Sequence, residues 1–83
     1  MAKIIIYTTE NCPYCQMAKE LLKARGQTFE EIRVDIDDSK REEMMRLSNQ
    51  RTVPQIFIDD QAIGGYDDLA RLSKSGKLDD LIK

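Results

Sequence analysis

Cys12 and Cys15 are the only two cysteines of the chain, and they lie at Cys-x-x-Cys spacing. This spacing is compatible with a metal clip, a structural disulfide or a redox-active pair. Structural zinc sites normally use four cysteine or histidine ligands, whereas one copy of this chain has two cysteines and no histidine. A disulfide across two intervening residues would close a very small loop and remove little entropy from the unfolded chain. The residue types therefore predict no metal site and favour a thiol–disulfide couple in a reducing compartment.

The segment around the two cysteines predicts a strand followed by a helix. Residues 3–7 form a short, continuous apolar run, which is typical of a strand covered on both faces. Apolar residues then recur at helical spacing in a stretch that ends near Gly26. They are Tyr14, Met17, Ala18, Leu21 and Leu22.

The cysteines fall at the junction of these two elements. Asn11 or Cys12 would cap the helix, and Pro13 suits its first turn, where no N–H donor is needed. Cys12 would then lie where unpaired N–H groups and the positive end of the helix dipole favour a thiolate. Cys15 follows about one turn later, so the two sulfurs can meet. Cys12 is therefore predicted to be the exposed attacking thiol and Cys15 its shielded partner; alternatively, both are ordinary small buried residues.

The middle of the chain predicts a second strand and a second helix. The strand, with one solvated face, is expected where apolar and charged residues alternate, the apolar ones being Ile32, Val34 and Ile36. The helix is expected over residues 38–50, with Asp38 or Ser39 at its N-cap. Its apolar contacts are expected to be Met44, Met45 and Leu47.

The last third of the chain predicts a hairpin and two short helices. The hairpin pairs residues 55–58 with 62–64 around a turn at 59–61, and the helices are separated at Ser75-Gly76. The order is therefore β-α-β-α-β-β-α-α. The first strand–helix–strand unit should be parallel and the hairpin antiparallel. This order predicts an α/β fold with one four-stranded mixed sheet flanked by helices, in a single domain over residues 1–83.

A second feature is the stretch Arg-Thr-Val-Pro at residues 51–54. Pro54 opens a predicted strand, a position where the loss of one ladder donor is tolerated. An ordinary trans proline at a strand start is the default interpretation, and the residues alone do not overturn it. If Pro54 faces Cys12, however, the peptide groups of Val53 can pair with an extended thiol substrate, as an added strand would.

A third feature is the stretch Gly-Gly-Tyr-Asp-Asp at residues 64–68. The glycines allow a tight turn, and the N–H groups of Tyr66 and Asp67 would form a small carboxylate site at a helix start. An aspartate there can also accept a hydrogen bond from an ammonium group. Together these groups suit an amino-acid-like ligand, although a glycine turn with an acidic N-cap is an equally good interpretation.

The segments "CPYC", "TVP" and "GGYDD", in this order, resemble those of a dithiol glutaredoxin, and the resemblance covers nearly the whole chain. It implies the thioredoxin fold, a cis peptide bond before Pro54 and a groove that binds glutathione. It also implies that Cys12 is the nucleophile and Cys15 the resolving thiol.

The resemblance further implies which residues contact glutathione. Tyr14 would flank the groove, Thr52 and Val53 would present backbone to the cysteinyl part, and Tyr66 and Asp67 would hold the γ-glutamyl end. The full set is Tyr14, Arg51, Thr52, Val53, Pro54, Gly65, Tyr66 and Asp67. Arg51 would partly replace a lysine that many relatives carry three residues before the first cysteine, where this chain has Thr9. Some relatives carry a third cysteine at the position of Tyr66.

The function implied is a glutathione-dependent reduction of protein–glutathione mixed disulfides and protein disulfides. Glutathione would be a co-substrate, with no tightly bound cofactor. Two alternatives stay open: an electron donor to ribonucleotide reductase that is itself reduced by thioredoxin reductase, and a glutathione-ligated [2Fe–2S] carrier.

Composition limits the partners. The formal net charge is −2, and no apolar run approaches the roughly 20 residues that span a bilayer. The expected partners are glutathione and client proteins rather than nucleic acid or membrane, and the protein is expected to be a cytoplasmic monomer.

Overall fold

A computed structural model describes residues 2–82 of the chain. Its elements follow the predicted order β-α-β-α-β-β-α-α, which is confirmed. They are β1 (Ile4–Thr8), α1 (Pro13–Ala24), β2 (Glu30–Arg33), α2 (Asp38–Ser48), β3 (Gln55–Ile58), β4 (Gln61–Gly64), α3 (Tyr66–Ser75) and α4 (Lys77–Leu81).

The four strands form one mixed sheet in the order β2-β1-β3-β4. β1 runs parallel to β2 and antiparallel to β3, and β3 and β4 form the predicted hairpin. The turn of this hairpin has two residues rather than the predicted three, because Gln61 already belongs to β4. Asp59 and Asp60 both have positive φ (50° and 67°), as in the tight turns that match strand twist.

The sheet separates two apolar clusters. One lies between the sheet and the helices α1, α3 and α4, and it consists of Ile4, Ile6, Ala18, Leu22, Ile56, Ile58, Leu69 and Leu78. The other lies beneath α2 and consists of Tyr7, Val34, Met44 and Phe57. Successive side chains of a strand point to opposite faces, so β1 and β3 supply both clusters. The two central strands therefore fix the position of α1 and of the loop that precedes it.

Three sequence-based expectations about buried apolar residues are wrong. Ile36 is 76% exposed, because β2 ends at Arg33 and the alternation loses its partner strand there. In α2, Met44 is buried but Leu47 is 52% exposed. In α1, the buried stripe runs through Cys15, Ala18 and Leu22, which leaves Tyr14 and Met17 on the exposed rim.

The N-cap of α2 also differs from the expectation. Asp37, rather than Asp38 or Ser39, caps the helix, and its carboxylate accepts hydrogen bonds from the Ser39 and Lys40 N–H groups at 3.1 and 3.2 Å. Among residues 2–82, no helix combines the length and the apolar character that a membrane crossing requires.

Candidate active site

Cys12 is the N-cap residue of α1, with extended backbone angles (φ −109°, ψ 102°), and Pro13 follows at the first helical position. Of the two predicted caps, Asn11 and Cys12, the structure selects Cys12. Its Sγ accepts a hydrogen bond from the Cys15 N–H at 3.2 Å. A capping oxygen normally takes such a bond, so here the sulfur occupies the position where a negative charge is favoured.

Cys12 and Cys15 are joined as a disulfide, with their Cα atoms 5.2 Å apart. The two sulfurs differ in their surroundings, because Cys15 is 1% exposed and packs on the buried face of α1, whereas Cys12 is half-buried at the helix end. An incoming thiol or disulfide can therefore reach Cys12 and not Cys15. This asymmetry is the one expected from the position of each cysteine relative to the helix start.

A groove of about 370 Å³ is formed by three separate segments of the chain, and Tyr14, the residue before Cys15, lines it. The start of α1, the segment that leads into β3 and the turn between β4 and α3 each form one wall. The predicted residues that line this groove are Tyr14, Thr52, Val53, Pro54, Gly65, Tyr66 and Asp67. Arg51, in contrast, is exposed and does not belong to the described lining of this groove.

The segment before β3 takes a fixed shape in this groove. The Val53–Pro54 peptide bond is cis, as the resemblance to glutaredoxins implied. The buried Gln55 side chain donates from Nε2 to the Thr52 carbonyl oxygen at 2.9 Å. Sequence reasoning missed this role of Gln55, because no pattern in the neighbouring residues predicts a side-chain hydrogen bond to the carbonyl group three residues earlier.

The turn between β4 and α3 is fixed by Asp68. Its Oδ2 accepts a hydrogen bond from the Gly65 N–H at 3.1 Å. A Cβ at Gly64 (φ +117°) would overlap this carboxylate, whereas one at Gly65 would meet the Pro54 carbonyl oxygen at an ordinary 3.5 Å. Asp68 was singled out only as part of an acidic helix start, although an acidic residue three positions after an N-cap is a recognisable capping signal.

The first two residues of α3, Tyr66 and Asp67, line the groove. The N-terminal N–H groups of a helix have no acceptor within the helix, so those of Tyr66 and Asp67 suit an anionic ligand. The Asp67 side chain is exposed at the same edge. Across the groove, the rings of Tyr14 and Tyr66 lie with their centroids 6.2 Å apart. The groove therefore combines the start of a helix, a carboxylate and two aromatic rings.

A second groove reaches Cys12 from the side of β2, and its wall includes Lys19, Glu31 and Arg33. Glu31 accepts hydrogen bonds from the Thr8 hydroxyl at 2.7 Å and from the Lys19 ammonium at 2.9 Å. The Thr8 hydroxyl, together with Lys19, holds the pKa of Glu31 below its ordinary value despite partial burial. Sequence reasoning did not find this cluster, because its members lie on three different elements.

Comparison with known proteins gives consistent matches. The family model described as Glutaredoxin matches residues 4–63. The chain is 54% identical to "Glutaredoxin 3" of Escherichia coli strain K12 over 83 residues, which is 100% of both chains. The solution structure of a glutaredoxin from Brucella melitensis is similar, with a TM-score of 0.88 and 47% identity, covering 100% of this chain and 90% of that one. A buckwheat glutaredoxin–glutathione complex is similar with a TM-score of 0.88 and 28% identity, covering 96% of this chain and 76% of that one.

Proposed function

Because the chain belongs to the glutaredoxin family and is a glutathione-dependent thiol–disulfide oxidoreductase, we propose that Cys12 is its nucleophile and that glutathione lies in the groove between Tyr14, Val53 and Tyr66. The observation that carries this proposal is the position of Cys12. Its sulfur lies at the N-cap of α1, accepts from the Cys15 N–H and is the accessible member of the pair.

The first reaction is the removal of glutathione from a client protein. The Cys12 thiolate attacks the glutathione sulfur of the mixed disulfide, a Cys12–glutathione bond forms, and the client leaves as a thiolate that takes a proton from solvent. A second glutathione thiolate then attacks the bound glutathione sulfur, which releases glutathione disulfide and restores the Cys12 thiolate. In balance, the client–glutathione mixed disulfide and one glutathione thiol become the client thiol and glutathione disulfide, so one disulfide bond breaks for each one that forms. This sequence uses Cys12 alone.

The second reaction is the reduction of a protein disulfide. Cys12 attacks one sulfur of the client disulfide and forms a mixed disulfide with it. The Cys15 thiolate then attacks Cys12, releases the reduced client and leaves the Cys12–Cys15 disulfide seen in the structure. Burial of Cys15 keeps it from competing as the first attacker. Two glutathione molecules reduce the pair again and leave as glutathione disulfide.

Binding of glutathione is proposed to use each wall of the groove for one part of the molecule. Thr52 and Val53 present backbone to the cysteinyl part, which places its sulfur towards Cys12. Tyr66 and Asp67 take the γ-glutamyl group, whose carboxylate suits the helix N–H groups and whose ammonium suits the Asp67 carboxylate. The similar buckwheat glutaredoxin forms a complex with glutathione, which supports this assignment. Arg51 is proposed to meet the glycyl carboxylate only after its side chain moves towards the groove.

The wider setting is proposed from the same chemistry. Glutathione, rather than a reductase protein, is the main electron donor, because a donor protein needs no groove for a small zwitterion. The chain acts as a monomer with a single domain over residues 1–83. It works in a reducing compartment such as the cytoplasm, where glutathione keeps the pair reduced. Its partners are glutathionylated and disulfide-containing clients.

Serine substitutions at the two cysteines test the assigned roles, and each is the matched control for the other. Cys12→Ser should abolish both deglutathionylation and the reduction of protein disulfides. Cys15→Ser should keep deglutathionylation and lose most of the activity on protein disulfides. Loss of both activities in Cys15→Ser would show that the roles are wrongly assigned. Coupled assays with glutathione or with thioredoxin reductase identify the donor, and activity with the reductase alone would contradict the glutathione proposal.

A further inference from the structure

The loop between β1 and α1 carries the nucleophile, and it is tethered to the segment that follows β2. Residues 9–12 belong to neither a helix nor a strand, Glu10 and Asn11 form a turn, and Asn11 has a left-handed backbone (φ +57°). In the middle of the loop, the Glu10 N–H donates to Oδ2 of Asp35 at 3.2 Å. Cys12 is only two residues further on, so this hydrogen bond holds the loop close to the point where the sulfur must be placed.

Asp35 is itself held in position by Arg33. The guanidinium donates from Nε to Oδ1 at 2.7 Å and from Nη2 to Oδ2 at 2.6 Å, the two-point geometry that fixes a carboxylate most firmly. Arg33 also lies 3.8 Å from the Glu10 carboxylate. The hydrogen bond with Arg33, supported by the Glu10 N–H, holds the pKa of Asp35 well below its ordinary value. Asp35 therefore stays an anionic acceptor across the pH range in which thiols titrate.

The beginning of the loop, at Thr8, is held by other contacts. The Val34 N–H donates to the Thr8 carbonyl oxygen at 2.9 Å, and the Thr8 hydroxyl bonds Glu31. These contacts do not use the Asp35 side chain, so we expect them to remain when Asp35 is changed. The effect of Asp35 is thus confined to the part of the loop between Thr8 and Cys12.

We propose that Asp35 is a positioning residue for the Cys12 nucleophile, which acts through the Glu10 N–H to keep the Cys12 sulfur aligned with the Cys15 N–H. Asp35 touches neither cysteine, and this inference rests on Cys12 being the nucleophile. Arg33 supports this role of Asp35, because its guanidinium orients the Asp35 carboxylate and balances its negative charge. The thiolate then depends on a carboxylate that lies 25 residues from Glu10 in sequence.

Two physical effects of removing Asp35 have opposite signs, and this makes the proposal testable. Loss of a nearby negative charge by itself favours the thiolate and lowers the pKa of the Cys12 thiol. Loss of the tether lets the sulfur drift from the Cys15 N–H and raises that pKa. The proposal predicts that the second effect wins in Asp35→Ala. In Asp35→Asn the side-chain oxygen still accepts from Glu10, so the pKa should stay at or below that of the parent protein.

The experiment measures the pH dependence of alkylation of Cys12 by iodoacetamide in the Cys15→Ser background, which keeps the Cys15 N–H. Asp35→Ala should raise the pKa of Cys12 by about one unit, a tenfold change in the thiol–thiolate equilibrium. Asp37→Ala is the matched control, because Asp37 also accepts backbone N–H groups but those of α2. It should leave the pKa of Cys12 unchanged.

An unchanged or lowered pKa in Asp35→Ala would overturn the proposal, as would an equal rise in Asp37→Ala. If Asp35→Ala does not fold, Arg33→Met provides the test. This variant keeps the Asp35 carboxylate but removes the guanidinium that orients it and balances its charge. That variant should also raise the pKa of Cys12, and an unchanged value would contradict the proposal. The readout needs no glutathione, so failure of the tether and failure of the glutathione assignment remain distinguishable.

Discussion

Adjacent glycines at the turn into α3 should respond very differently to the same substitution. Gly64 has φ +117°, and a Cβ there would overlap the Asp68 carboxylate, so Gly64→Ala strains the backbone and displaces that carboxylate. Gly65 has an extended backbone (φ −90°, ψ −164°), and its Cβ would make only an ordinary contact with the Pro54 carbonyl oxygen. Gly65→Ala should therefore leave the fold almost unchanged.

The magnitudes follow from the separate contributions. A non-glycine residue in such a backbone region costs about 1–3 kcal/mol. Displacement of the Asp68 carboxylate also breaks its hydrogen bond with the Gly65 N–H, and this loss adds about 1 kcal/mol to the destabilisation. Gly64→Ala should then lower the free energy of unfolding by roughly 2–4 kcal/mol, a large part of the stability of a small domain. Gly65→Ala should stay within about 1 kcal/mol of the parent protein.

A third glycine separates backbone strain from the displaced carboxylate. Gly76 also has a positive φ (+83°), but an added Cβ would meet nothing within 4 Å. Gly76→Ala should cost only the backbone contribution, about 1–2 kcal/mol. The difference between Gly64→Ala and Gly76→Ala then reports the contribution of Asp68 together with the additional backbone strain at φ +117°.

Urea unfolding of the reduced proteins gives the three free energies, and steady-state kinetics give the KM for a glutathionylated substrate. The KM should rise in Gly64→Ala, because Asp68 shapes the start of α3, and should not change in Gly76→Ala. If Gly64→Ala is no less stable than Gly76→Ala, or if Gly65→Ala is the most damaging of the three, the description of this turn is refuted.

Two further predictions concern the walls of the two grooves. Tyr14→Ala removes the ring contact with Tyr66 in the proposed glutathione groove and should raise the KM for a glutathionylated substrate about 2- to 10-fold. The free energy of unfolding should change little, because Tyr14 is 58% exposed. An unchanged KM would exclude Tyr14 from binding. The Thr8 hydroxyl is the main reason that the pKa of Glu31 is lowered in the folded protein. The ionised Glu31 carboxylate therefore stabilises the fold at pH values above its ordinary pKa. This stabilisation is lost as the pH falls through the pKa that Glu31 has in the folded protein. Glu31→Gln should therefore destabilise the protein at neutral pH and much less in acid, as measured by urea unfolding, and an equal loss at both pH values would contradict this assignment.

Much of the fold could be predicted because its signals are local. The short apolar run of β1, the hairpin composition around Asp59-Asp60 and the break at Gly76 each act within a few residues. The errors occur where a local pattern depends on a distant partner. The alternation through Ile36 continues in the sequence, but β1 ends its pairing with β2 at Thr8 and Arg33, so no neighbouring strand remains beside Ile36.

The residues that line the proposed glutathione groove were predicted from sequence for a different reason. Each of the three short motifs has its own conformational signature, and the resemblance to glutaredoxins supplied the information that they meet. The side chains that fix these motifs were missed, since Gln55 and Asp35 act on backbone groups that no sequence pattern links to them. Arg51 was included by the same resemblance, but chain proximity to Thr52 does not determine the direction of its side chain.

The different roles of the two cysteines follow from the phase of a single helix. Residues at i, i+3 and i+7 share one face, so Cys15, Ala18 and Leu22 are buried together against the sheet. Cys12 precedes the first helical residue and therefore does not belong to this buried face. Its sulfur nevertheless accepts a hydrogen bond from the Cys15 N–H. The apolar stripe thus shields one thiol, and the other lies at the helix end, where a thiolate is favoured. Shifting the helix start by one residue would break this arrangement, which is why the structure holds the preceding loop with a carboxylate from the neighbouring strand's end.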